Sequence, residues 1–213
     1  MELELVSINV GKPKPMLYKG REVLTAIDKR SVAGAVPVRS APLPNDEQAD
    51  DVHHGGEDKA LCAYFFEHYP YWEDVLGSPL APGAFGENFT LRGALEADVN
   101  VGDTFRLGEA LLQITQPRVP CFKLSARHGR PTLEKEVAES GYTGFYFRVL
   151  EPGTAKAGDA LRRETAHPAG VTVAEANRIM HRDKTDAAGL RRLLSVEALA
   201  DSWRATLEMR LKP

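Results

Sequence analysis

Over residues 1–165, no apolar stretch runs far before Gly, Pro or Asp interrupts it, and this rhythm restricts the fold more than any other feature. Residues 2–9 place Leu3 and Leu5, then Val6 and Ile8, at strand-like positions. Val23–Asp28 and Val36–Arg39 are further strand candidates. Thr104–Leu107 and Leu111–Thr115 flank Gly108-Glu109, which predicts a hairpin. Phe145–Leu150 is rich in strand formers and ends at Glu-Pro-Gly, while Gly-Asp turn signals recur at 102–103 and 158–159. Many short strands with regular turns predict a mainly-β barrel or sandwich. Two helices interrupt them. Residues 58–69 set Leu61, Tyr64, Phe65 and His68 at i, i+3, i+4, i+7, with Pro70 as the stop. A second is expected over Leu133–Ser140, closed by Gly141.

From residue 168 the pattern changes. Thr172-Val-Ala-Glu175 is a capping box, and Val173, Ala176, Asn177 and Met180 follow at helical spacing. Asp186–Leu194 predicts a second helix. Ser195 is the expected cap of a third, with Leu199, Trp203 and Leu207 on one face. The chain therefore divides into a β domain over residues 1–165 and a three-helix domain over 168–213.

Composition closes off several classes of function. The net charge of -3 is spread without a basic stripe, which disfavours nucleic acid and anionic membranes as partners. MELELVSINV lacks the basic and apolar segments of a signal peptide, and no apolar run approaches the roughly 20 residues of a membrane span. Two cysteines, Cys62 and Cys121, are too few for an ordinary iron–sulfur cluster. Their settings read as free thiols in a reducing compartment, so a cytoplasmic location is expected. No GxGxxG joins a strand to a helix, so any redox chemistry draws its electrons from elsewhere.

Four segments could carry chemistry. QPRVPCFKL (116–124) puts Cys121 after a rigid Pro-Arg-Val-Pro run, with Arg118 and Lys123 nearby. Positive neighbours favour the thiolate that attacks or binds metal, whereas an ordinary free cysteine fills a core gap. HHGGEDKALCAYF (53–65) sets Gly55 and Gly56 before a helix whose first turn holds Lys59. A cation there opposes the helix dipole, and a bound phosphate would compensate it; Asp58 could also balance it. His53 and His54 are adjacent, and on extended chain they point apart, so joint chelation of one ion is not expected. PGAFGENFTL (82–91) offers Glu87 as a proton donor or a turn-binding carboxylate, and Asn88 as a polar contact. SGYTGFYFRV (140–149) offers the Thr143 hydroxyl to phosphate or to its own turn.

In order, DEQADDVHHGGEDKALCAY, FGENFT, the VGD at 101–103, QPRVPCFKL and TGFYFRVLEPG resemble the MOSC domain family. Together with the opening GKPKPMLYKGREVLTAIDKRSV and the residues after 168, they resemble its YiiM-like subfamily. The resemblance implies a closed PK-like β-barrel with an appended three-helix domain. It implies a molybdenum–molybdopterin cofactor ligated by Cys121, and reduction of N-hydroxylated bases such as 6-hydroxylaminopurine with electrons from a separate flavoprotein. Arg118, Lys123, Lys59, Gly55 and Gly56 would then neutralise the cofactor phosphate, with His53, Asn88 and Thr143 as further contacts. The family is also linked to pyridoxal phosphate, for which no defensible Schiff-base lysine stands out here. One departure is Ala41-Pro-Leu-Pro-Asn-Asp-Glu-Gln48, where the family tends to have Gly-Leu-x-Gly-Asp-x-Gln. Asn45 replaces the glycine before Asp46, and Asn tolerates left-handed backbone. Two other functions fit the same residues: a non-redox cofactor or sulfur carrier, and a metal-free thiol enzyme with Cys121 as nucleophile and His53 or His54 as base.

Overall fold

The computed structural model describes residues 1–49 and 55–212. Its strands are β1 (Glu2–Val10), β2 (Lys14–Tyr18), β3 (Arg21–Thr25), β4 (Arg30–Ser31), β5 (Val36–Val38), β6 (Leu61–Phe65), β7 (Phe89–Arg92), β8 (Thr104–Leu107), β9 (Ala110–Pro117), β10 (Phe145–Glu151), β11 (Gly153–Ala155) and β12 (Ala160–Thr165). The helices are α1 (Tyr69–Leu76), α2 (Phe122–His128), α3 (Leu133–Ser140), α4 (Val173–His181), α5 (Ala187–Leu194) and α6 (Asp201–Leu211).

Seven strands run in the order β12-β8-β9-β10-β6-β7-β1, and β12 pairs back onto β1 through Leu3↔Leu161, which closes a barrel. Closure leaves no sheet edge among these strands. All the pairings are antiparallel except β6 with β7. Leu3, Leu5, Phe89, Leu91, Phe105, Ile114, Phe145 and Phe147 are fully buried in its core. The hairpin expected at Gly108-Glu109 forms between β8 and β9.

The helix expected over residues 58–69 does not form. Leu61–Phe65 is β6, between single 3-10 turns at Glu57–Lys59 and Phe66–His68. Leu61, Ala63 and Phe65 point into the barrel core, and Tyr64 enters a second apolar cluster with Trp72 and Phe85 on the opposite face. All five residues of β6 are buried because both faces are covered. A run apolar on both faces carries no strand period, and its residues match helical spacing by accident. Pro70 accordingly starts α1 instead of ending a helix.

The helical expectations fare better where caps decide them. Leu133–Ser140 is α3, and Gly141 (φ 79°) closes it in left-handed backbone. The Thr172 hydroxyl accepts from Glu175 N at 3.0 Å, and Asp186 caps α5 by accepting from Gly189 N at 2.9 Å. Ser195 does not cap the third helix. Its hydroxyl turns back to donate to Arg192 O at 2.7 Å, so it ends α5, and α6 starts six residues later at Asp201. The three C-terminal helices pack directly on the barrel. Val173, Ile179, Leu193, Trp203 and Leu207 join the same core as the barrel strands. Backbone bonds Val101 N to Val171 O (3.0 Å) and Ala200 N to Thr115 O (3.1 Å) fasten the two parts.

Candidate functional site

The site begins with strand alternation. Phe145 and Phe147 enter the barrel, so Tyr146 between them faces outward, opposite Cys62 of β6. On the other side of Tyr146 stands Gln116 of β9. The register slips there: Tyr146 pairs with Gln116 but Phe147 pairs with Ile114, leaving Thr115 as the extra residue of a bulge. A bulge re-aims the residues beyond it, and here it turns Gln116 onto the outward wall. The site is thus built on the outer face of the barrel.

Beyond Pro117 the chain leaves the sheet. Arg118 N donates to Gly144 O at 3.0 Å, and the buried Arg118 guanidinium donates to Phe85 O. Gly144 permits this approach because its φ is +68° and a Cβ there would lie 2.2 Å from Ala63 O. Cys121, half-buried, then sits in extended backbone (φ −133°, ψ 162°) immediately before α2. Both cysteines are free thiols.

Facing this wall is the segment after the β2–β3 hairpin, and the two enclose a cleft of about 520 Å³. Its walls hold Lys29, Lys59, Arg118 and Lys123, both cysteines, Asn88 and Tyr146, and among the described residues no carboxylate side chain lines it. Lys29 is buried and paired with Asp46 behind the wall. Asp46 Oδ1 also accepts from Gly11 N (2.8 Å), and its Oδ2 accepts from Asn88 Nδ2 (2.8 Å). Asn45 takes φ 64°, so the loop keeps the left-handed turn in which a glycine would sit.

Burial pushes the Cys62 thiol up to about 11, with Arg118 and Lys29 pulling weakly the other way. Burial raises Tyr146 as well. Burial draws Arg118 down, but Cys62, Tyr146, Cys121 and Glu87 outweigh it, and its proton affinity ends above the ordinary value. At neutral pH Arg118 is therefore charged, while Cys62 and Tyr146 keep their protons.

Of the residues singled out in the sequence, Cys121, Arg118, Lys123, Lys59 and Asn88 meet at the cleft. Asn88 is already engaged: Nδ2 donates to Asp46 and to Asn9 O (3.3 Å), and Oδ1 accepts from Cys62 N (3.1 Å). Gly55 and Gly56 lead into the Lys59 turn without lining the cleft. That turn is three residues of 3-10 geometry, too short to supply the helix N-terminus expected for a phosphate. Thr143 lies elsewhere. Its buried hydroxyl donates to Gly144 O (2.9 Å) and accepts from Asn177 Nδ2 (2.7 Å). Glu87 serves its turn, accepting from Gly83 N (2.8 Å), Phe85 N (3.0 Å) and Thr90 Oγ1 (2.8 Å). His53 and His54 lie outside the described residues. Sequence reasoning missed Lys29, Cys62 and Tyr146. Strand alternation around Phe145 and Phe147 was the available signal for Tyr146, and Cys62 was concealed by the mistaken helix.

A seven-stranded barrel bearing a thiol on an outer cationic cleft, with three helices appended, defines a class found by comparison with known proteins. Residues 50–162 match the model of the MOSC domain, and residues 171–212 match that of the YiiM-like, 3-alpha helix domain. The chain belongs to the MOSC domain family, in its YiiM-like branch. The crystal structure of YiiM from Geobacillus stearothermophilus superposes with a TM-score of 0.85 at 42% identity, covering 99% of this chain and 100% of that one. YflK of Bacillus subtilis is 45% identical over 95% of this chain and 91% of its own length. A Gibberella moniliformis protein named "Reductase" is 33% identical over 74% of this chain, which spans 28% of that longer protein.

The family is associated with the molybdenum cofactor, and the donor set here fits such a group. Among the described residues no three His, Cys, Asp or Glu converge as a metal site. A pterin-bound molybdenum brings most of its own ligands and would ask this chain for few. A soft thiolate suits the remaining position, and the lysines and Arg118 suit the cofactor's phosphate. Among the described residues no helix is long and apolar enough to cross a membrane.

Proposed function

We propose that the protein is a molybdenum cofactor-dependent reductase of N-hydroxylated compounds, such as 6-hydroxylaminopurine, with Cys121 as its ligand to the metal and a separate flavoprotein as electron donor. The observation that carries this reading is a half-buried thiol on a cleft whose described lining has four basic side chains and no carboxylate. When bound, the cofactor supplies the two-electron exchange at the substrate's N–O bond. The net reaction is R–NHOH + 2 e⁻ + 2 H⁺ → R–NH₂ + H₂O: the N–O bond breaks and its oxygen leaves as water.

The chain's own part is to bind and orient. Arg118, Lys59 and Lys123 would neutralise the anionic tail of the cofactor, while Lys29 stays paired with Asp46. The rigid Pro117–Pro120 run and the Arg118-to-Gly144 bond fix where the Cys121 sulfur stands. Cys62 and Tyr146 keep their protons and add no negative charge to repel the tail. The test is metal and pterin analysis of protein purified from a molybdenum-replete host, with reductase assays using a flavoprotein donor. Cys121→Ser is expected to lose most of its molybdenum and all reductase activity. Full retention of both would overturn the ligand assignment. Bound cofactor without reduction of any N-hydroxylated compound would favour a carrier instead.

A further inference from the structure

Cys121 stands between two clefts. The second, of about 1120 Å³, opens on the side of the C-terminal helices and shares Lys59, Cys121, Lys123 and Tyr146 with the first. We infer that this second cleft is the substrate subsite, and that Ser202 and Thr206 on α6 decide which N-hydroxylated compounds fit. The inference rests on the reading of Cys121 given above.

The chemistry of the two clefts differs. Both share Lys59 and Lys123, but only the first adds Arg118 and Lys29 and suits an anion. Only the second carries Val119 and Phe122, which are 45% and 37% exposed, on the loop and helix start flanking the thiol. Large apolar side chains left open beside a reactive sulfur form a surface for an apolar body. The Phe122 ring is held in place against Tyr18, with centroids 5.3 Å apart. Across the cleft the helices present the hydroxyls of Ser202 and Thr206 beside Met180 and Trp203. Ser202 Oγ donates to Gln116 Oε1 at 3.3 Å, and Thr206 Oγ1 donates to Ser202 O at 2.9 Å.

Ser202 is exposed and its hydroxyl donates to Gln116, so its oxygen can also accept a hydrogen bond from an occupant of the cleft. An occupant with a flat apolar face over Phe122 and Val119, a donor edge towards Ser202, and its N–OH towards Cys121 satisfies every wall. Free hydroxylamine has no apolar face to set over Phe122 and Val119. The C-terminal helices thus supply specificity, while the barrel wall supplies the thiol and the cationic pocket.

The test uses benzamidoxime, an N-hydroxylated aryl compound, with wild type, Thr206→Phe and Ser202→Tyr, each checked for native circular dichroism. In cofactor-free protein, NMR titration should give saturable shifts of the Trp203 indole signal. Each bulky variant should weaken binding about tenfold or more, the scale of a lost pocket fit. In cofactor-loaded protein the same variants should keep wild-type molybdenum content, while selectivity for benzamidoxime over hydroxylamine falls about tenfold. No saturable shift in wild type, or unchanged affinity in both variants, overturns the inference. If loaded wild type reduces neither compound, the proposed function fails, and the titration still decides whether the cleft binds as inferred.

Discussion

Removing the Asp46 carboxylate should cost more stability than any change on the rim of the site. Its side chain is 3% exposed and that of Lys29 is 5% exposed, so both charges are buried. Asp46 is the anion that faces Lys29, and it also accepts from Gly11 N and Asn88 Nδ2. Breaking a buried pair from one side costs about 3–5 kcal/mol, because the remaining charge stays buried without compensation. Each orphaned donor adds about 1–3 kcal/mol if it stays dry. These contributions share partners and do not sum, so the expected loss in Asp46→Ala is about 4 kcal/mol. With a urea m-value near 2 kcal/mol/M, the unfolding midpoint should fall by about 2 M. Lys29→Met in the Asp46→Ala background should recover part of the loss, since an apolar isostere carries no charge to strand. Equilibrium urea unfolding of wild type, both single variants and the double variant checks this. A loss under about 1 kcal/mol in Asp46→Ala, or strictly additive losses in the double variant, would refute the account of the network.

Two further expectations concern the thiols and the histidines. Iodoacetamide at pH 7.5 should alkylate Cys121 at least about tenfold faster than Cys62, because Cys62 is buried and its thiol is pushed up to about 11; equal rates by peptide mass mapping would contradict this. His128 is held below the ordinary histidine range by burial first, with Arg127 adding to it and the Ala84 carbonyl opposing. The unfolded chain therefore binds more protons than the folded one, so this stability is fully present above the ordinary histidine value of about 6.5 and is lost as pH falls from there through the lower value of the folded state. His128→Gln should flatten the decline between pH 7 and 5 in thermal unfolding, and an unchanged pH slope would count against it.

The comparison of sequence with structure turns on whether a segment's neighbours lie close in the chain. Alternating Leu3 and Leu5, the Gly108-Glu109 turn, the Thr172 and Asp186 caps and the Gly141 stop were legible because each depends on a few adjacent residues. The Pro-Arg-Val-Pro-Cys121 segment was legible for the same reason, since its rigidity and charge are local. Residues 61–65 were not. An alternating strand betrays itself only when one of its faces is polar, and β6 is covered on both.

The site's remaining members came from folding alone. Cys62 and Tyr146 lie 84 positions apart and become neighbours through the β6–β10 register. Lys29 reaches the cleft through a pairing with Asp46, 17 positions away. The Thr115 bulge that turns Gln116 outward has no signature in the residue types around it. By itself the sequence determined that the chain is mainly β, that helices close it, and that Cys121 lies in a stiff basic segment, because backbone propensity and local charge act over a few residues. Only the tertiary structure decided which cations surround that sulfur and that it faces two clefts, because barrel closure and strand register bring distant residues together and local sequence does not specify either.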